Sequence, residues 1–188
     1  MKFNEHSELK GLHAPFAASQ NAWLNYSDDK FVEVYKSKRA APMGTRLHEF
    51  ASEAINLRIK LIEDGTTISL FVNDAIDYKM RSEQPVWYSD RFFGTADAIS
   101  YRRGVLRIFD LKTGKNEAHM DQLKVYAAEF CLEYKIRPKD IKQIELRIYQ
   151  FDQVKIEEAS SEEIQKIMSN IVCKDRLAKQ IDAEEYDL

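Results

Sequence analysis

The sequence lacks most of what would place it outside the ordinary globular class. No apolar run approaches the ~20 residues that a membrane-spanning helix needs, so no membrane partner is expected. Glycine and proline are scarce, six and four in 188 residues, and none cluster into a linker. Only two cysteines occur, Cys131 and Cys173, both in segments that read as helical and apolar. That excludes a disulfide framework and fits a reducing cytoplasm. The opening MKFNEHSELKGLHAP has neither an apolar core nor a small-residue cleavage site, and is not expected to act as a secretory signal. Charge of one sign is also missing. The net value of −3 speaks against a protein that merely coats nucleic acid, because such proteins are strongly basic. An enzyme acting on DNA remains compatible, since an acidic site lowers the total while local basic clusters still steer a polyanion. Those clusters are Lys36, Lys38 and Arg39; Arg102 and Arg103; and Lys135, Arg137, Lys139 and Lys142.

What is present is 44% hydrophobic and 31% charged residues, enough for a core. With no internal repeat, one domain over residues 1–188 is expected, its core at roughly 40–151. Residues 19–36 read as partly helical, with Trp23 and Tyr26 as core anchors. A break is expected at Ala40–Gly44, around Pro42. Thr45 then serves as an N-cap for a long helix over Arg46–Glu63, striped by Leu47, Phe50, Ala51, Ala54, Ile55, Leu61 and Ile62. Asp64-Gly65 ends it, and Ile68–Met80 reads as a further helix. From Pro85 the apolar period becomes two, giving strands over Val86–Ser89, Phe92–Tyr101 and Val105–Lys112, with a hairpin at Arg102-Arg103-Gly104. A helix over Met120–Tyr134, a strand over Ile144–Phe151 and a last helix capped by Ser160 or Ser161 follow, with an acidic tail from Asp182 that frays. Helix, three strands, helix, strand predicts an α/β fold with a mixed central sheet flanked by helices.

Four segments carry candidate chemistry. In Asp110-Leu111-Lys112 the alternation of a strand puts the carboxylate and the ammonium on one face. The pair is either a plain ion pair or a cation ligand beside a phosphate-directed lysine. Asp97, in Gly94-Thr95-Ala96-Asp97, sits in an apolar strand where burying a carboxylate requires a partner. The hairpin brings it beside Asp110, and a divalent cation would remove their repulsion. His48 falls on the edge of the helical stripe, whereas Glu49 points to solvent. Gln122 and Tyr126, one turn apart, border the apolar side of their helix and can position Lys112 or bind a phosphate.

Gly44-Thr-Arg-Leu-His48-Glu, Gly94-Thr-Ala-Asp97, Asp110-Leu-Lys112-Thr-Gly and Gln122-Leu-Lys-Val-Tyr126 resemble, in order and spacing, the PD-(D/E)XK nuclease superfamily. They look most like its RecB-type branch of phage exonucleases and CRISPR-associated adaptation nucleases. The likeness covers roughly residues 11–151 and extends to the stretch His13–Ser19 followed by Trp23-Leu-Asn-Tyr26. It implies a restriction-endonuclease-like core. His48, Asp97, Asp110 and the Leu111 carbonyl would hold Mg²⁺ or Mn²⁺, the histidine favouring manganese. Asp97 and Asp110 would be catalytic with Lys112, and Gln122 and Tyr126 would support them. Several relatives carry four cysteines around an iron–sulfur cluster, which two cysteines in one chain do not provide. The expected function is a metal-dependent deoxyribonuclease, preferably an exonuclease, of DNA recombination, repair or phage DNA processing. It would hold DNA by its backbone without base specificity, in the cytoplasm, phage-encoded or not, with an oligomer allowed. The alternative is a catalytically inactive DNA-binding or assembly module that keeps the fold.

Overall fold

A computed structural model describes residues 25–186. Trp23 and the stretch His13–Ser19 lie outside the described residues. The chain divides into two compact units, Met1–Arg46 and Leu47–Leu188. In the first, the described residues belong mainly to the start of helix α1 (Asp28–Leu57), where Phe31 and Tyr35 stack one turn apart. The sheet and every candidate site residue belong to the second.

The second unit has α2 (Thr67–Asp77), β1 (Arg81–Ser89), β2 (Phe92–Arg102), β3 (Val105–Leu111), α3 (Asp121–Glu133), β4 (Gln143–Gln150), β5 (Gln153–Glu158) and α4 (Ser161–Tyr186). The five strands form one mixed sheet in the order β1-β2-β3-β4-β5, as expected of an α/β fold flanked by helices. Only β3 and β4 are parallel, and α3 makes the crossover between them. Arg103 and Gly104 both have positive φ, 53° and 81°, which closes the β2–β3 hairpin in two residues.

Alternating side chains give the sheet two buried faces. One packs Val86, Ile99, Leu106, Ile108, Leu146 and Ile148 against Leu123 and Ala127 of α3 and Ile164 and Ile171 of α4. The other packs Ala98, Phe109, Leu111 and Tyr149 against Ala51, Ala54 and Ile55 of α1 and Phe71 and Val72 of α2. Ser160 and Glu163 cap α4 reciprocally: the Glu163 amide donates to Ser160 Oγ, and the Ser160 amide donates to Glu163 Oε2.

Several boundaries differ from the expectation, each for a physical reason. Helix α1 runs through Pro42 and Thr45 instead of breaking at Ala40–Gly44. Proline removes one main-chain donor and glycine weakens propensity by about 1 kcal/mol, costs that a thirty-residue helix carries. The same helix stops at Leu57 rather than Glu63, where Arg58 turns left-handed with φ 58°. Phe50 and Ile62 are exposed, so the apolar stripe reduces to Ala51, Ala54 and Ile55. Strand β1 starts four residues before Pro85. It is an edge strand, where a missing N–H is tolerated. Strand β5 was not expected at all, although Val154 and Ile156 alternate with charged residues. Cys131 is buried in α3, but Cys173 is exposed on α4.

Glu129 of α3 is only 3% exposed, and its Oε2 has no hydrogen-bond partner. Burial pushes its carboxyl up to about 7. The folded protein therefore holds a proton that the unfolded chain releases near pH 4.5. Stability is expected to fall as pH rises from about 4.5 to about 7 and then to level off, by roughly 3 kcal/mol from this group. Glu129→Gln should flatten that slope and unfold at higher urea than wild type at pH 8.

Candidate metal centre

The site forms where the sheet's regularity fails. Alternation should put residues 96 and 98 on one face, yet Ala96 packs with the α3 side and Ala98 with the α1 side. Side-chain direction reverses between them, at Asp97. The same reversal occurs on β1. Ser82 bonds Ser52 of α1, while Val86 packs with α3. Glu83, between them, has φ 47°, a left-handed conformation that costs a non-glycine residue of order 1 kcal/mol. Ser82 pairs with Ala98 and Gln84 with Ala96, so the two dislocations lie opposite each other and set Glu83 against Asp97. Like charges directly across a ladder repel.

Pairing of β2 with β3 ends at Ala98 and Phe109, one residue short of Asp97 and Asp110. β3 continues against β4 as far as Leu111, so β2 and β3 part there. In the gap, Asp97 Oδ2 accepts the Leu111 amide at 2.7 Å, taking over the role of a ladder carbonyl. His48, one-third exposed on α1, approaches from the other side, its Nδ1 3.5 Å from Asp97 Oδ1. One donor atom each from His48, Glu83 and Asp97 lies within 4.8 Å of the others.

Asp110 stands outside that group. The three closely grouped donor atoms are those of His48, Glu83 and Asp97, and Asp110, an expected ligand, is not one of the three. The reason is orientation. Asp110 Oδ2 turns toward Lys112 Nζ, 3.0 Å away. The contact is an ion pair without directed hydrogen-bond geometry, and Oδ2 is buried with no hydrogen-bond partner. The residue is 2% exposed. Lys112 Nζ also donates to Gln122 Oε1 at 3.0 Å, and Gln122 Nε2 donates to Tyr126 Oη at 2.7 Å. The Tyr126 ring presses on Gly94, where an added Cβ would come within 2.5 Å of Cε1. Glycine in Gly94-Thr95-Ala96-Asp97 is therefore what admits this tyrosine. Leu111 enters by its amide, with its side chain in the α1-side core.

Electrostatics follow the crowding. Burial, then the Asp97 charge, raises Asp110, and Lys112 and His48 pull it back. Loss of solvent, then Asp97, raises Glu83. The bond to Asp97 raises His48 against a smaller opposing effect of burial. Burial raises the Tyr126 phenol, so it remains a neutral donor and acceptor. A cluster of two carboxylates and an imidazole, beside a buried carboxylate whose Oδ2 is met by one ammonium, fits a divalent cation that takes mixed oxygen and nitrogen ligands. Glu83 was missed in the sequence because strict alternation gave no reason to aim a solvent-side glutamate at the site.

His48 should titrate above 6.5 in metal-free protein, measured by NMR of its ring protons. Its bond to Asp97 stabilises the fold fully below 6.5, and that gain is lost as pH rises through the raised value. Asp97→Asn should lower the titration, because the largest raising contact is removed and only the charges of Glu83 and Asp110 then act against burial.

Among the described residues, no helix is long and apolar enough to cross a membrane. None of the curated proteins compared with the chain matches it. A family model does, over residues 75–185, which takes in Glu83, Asp97, Asp110, Lys112, Gln122 and Tyr126 but not His48. With more than half of its 188 residues so matched, the chain belongs to the family described as "Protein of unknown function (DUF2800)".

Proposed function

We propose that the protein is a Mg²⁺- or Mn²⁺-dependent deoxyribonuclease, preferably an exonuclease, that hydrolyses the phosphodiester backbone without reading bases. One observation supports this above the others. Four segments distant in sequence meet in a continuous chain of contacts: His48 to Asp97, Asp97 to the Leu111 amide, Asp110 to Lys112, Lys112 to Gln122, and Gln122 to Tyr126. These are the positions on which the resemblance to PD-(D/E)XK nucleases rests.

His48, Glu83 and Asp97 hold the cation in this reading, and Asp110 with the Leu111 carbonyl completes its surroundings. A divalent ion there acidifies bound water and neutralises charge on the scissile phosphate. The chain's own residues do the rest. Lys112 orients the attacking water or offsets charge developing on the phosphate oxygens. Asp110 beside it keeps the ammonium in place, and the carbonyl oxygen of Gln122 fixes it from the helix side. Tyr126 locks the Gln122 amide, since its phenol accepts from Nε2. Gly94 lets the tyrosine sit that close. A site assembled from five elements is pre-organised, and displacing any part by an ångström costs rate.

Linear DNA should be digested with Mn²⁺ or Mg²⁺ and spared in EDTA, with closed circular DNA resistant. Lys112→Ala should lower the rate by a factor of about 10²–10⁴ with folding retained. Asp110→Ala should abolish activity. Calorimetry that detects no Mn²⁺ binding by folded wild-type protein would remove the metal site, and with it this function.

A further inference from the structure

A second feature lies beside the metal centre and is not used by it. A cavity of about 410 Å³ opens along the start of β1 and the end of β2. Arg81 and Gln84, on either side of Glu83, both line it. Glu83 itself does not line it. A second cavity, of about 380 Å³, shares Lys79 and Arg102 with the first and continues it past the β2–β3 hairpin to Arg103.

The lining is cationic in a chain whose net charge is −3. Lys79, Arg81 and Arg102 line the first cavity, and no carboxylate does. Among the described residues, neither these three nor Arg103 pairs with a carboxylate, whereas Arg107 is matched by Glu145 and Asp77 by Lys60. Four like charges left unmatched on one surface repel one another and attract a polyanion. The wall also carries rings. Phe130 lies 5.5 Å from Tyr101 and 4.8 Å from Tyr134, centroid to centroid. Phe130 is buried, but Tyr101 is 40% and Tyr134 52% exposed, so two aromatic surfaces face solvent beside the cations.

Cations that follow a backbone, interleaved with rings on which bases stack, are the means by which proteins hold a single strand without reading sequence. We infer that this groove binds single-stranded DNA, with phosphates on Lys79, Arg81 and Arg102 and bases on Tyr101 and Tyr134. Resting on the nuclease reading, the groove would lead the strand past Gln84 to Glu83 and the metal. Duplex DNA fits less well, because its bases are stacked on each other and leave the rings unused.

The test is binding without chemistry: fluorescence anisotropy of a labelled twelve-residue oligothymidylate in EDTA. Wild type should bind. The pair Arg81→Gln and Arg102→Gln should lower affinity at least tenfold and reduce the salt slope by about 1 to 2. Tyr134→Ala should cost about tenfold on this oligomer and little on an abasic one of equal charge. Lys166→Gln with Lys174→Gln on α4 should change nothing. Thermal melts identify variants that have lost the fold, and Arg81→Lys with Arg102→Lys keeps both charge and binding. Wild type that does not bind, groove variants that bind like wild type, α4 variants that lose as much, or a duplex competing equally well would each overturn the inference. Binding that depends on the groove, without Mn²⁺-dependent cleavage, would uphold the groove and reject the nuclease. Cleavage with binding indifferent to the groove would do the reverse.

Discussion

Three carboxylates, Glu83, Asp97 and Asp110, are held near one another on three neighbouring strands, and their mutual repulsion is the constraint around which the structure is arranged. Burial raises both Glu83 and Asp110, and the Asp97 charge adds to the effect. A fold selected for stability alone has no reason to place acids opposite each other across a ladder. Here the arrangement is maintained by an imidazole on one side, an ammonium on the other and a main-chain amide between. Each offsets part of the charge, and the ammonium lies 3.0 Å from Asp110 Oδ2.

The surrounding layers supply those groups. Helix α1 packs through Ala51, Ala54 and Ile55, small or slim side chains that let its axis approach the sheet and bring His48 to Asp97. Helix α3 presents Gln122 and Tyr126 from the opposite face, at a depth set by the bare Cα of Gly94. β3, antiparallel to β2 and parallel to β4, continues beyond its partner β2 and so exposes the end that carries Asp110 and Lys112. Local irregularity at the site is supported by regular packing on both faces, a common way for a sheet to carry functional strain.

Much of this was legible in the sequence. The period-two runs located β2 and β3 to within a residue or so, and a two-residue turn with glycine located their hairpin. Alternation placed Asp110 and Lys112 together and Leu111 opposite, and helical geometry chose His48 over Glu49. The spacing of Gln122 and Tyr126 foretold their contact. Three features were not legible. Pro42 suggested a helix break, but one missing donor does not outweigh the rest of a long helix. β5 alternates correctly but is short and polar, and only pairing with β4 makes it a strand. Glu83 lies before Pro85, in a stretch whose strand character depends on the partner that β2 provides.

The sequence by itself determined the types of the elements other than β5 and the identity of most chemically able side chains, because these depend on local period and residue chemistry. Tertiary structure alone decided which carboxylate joins His48 and Asp97. That choice turns on paired dislocations in β1 and β2, which reverse side-chain direction in both strands at once. It turns also on the parting of β2 from β3, which sends Asp110 toward Lys112. Neither event has a local signature, since each is a property of two strands in register and not of either chain segment alone.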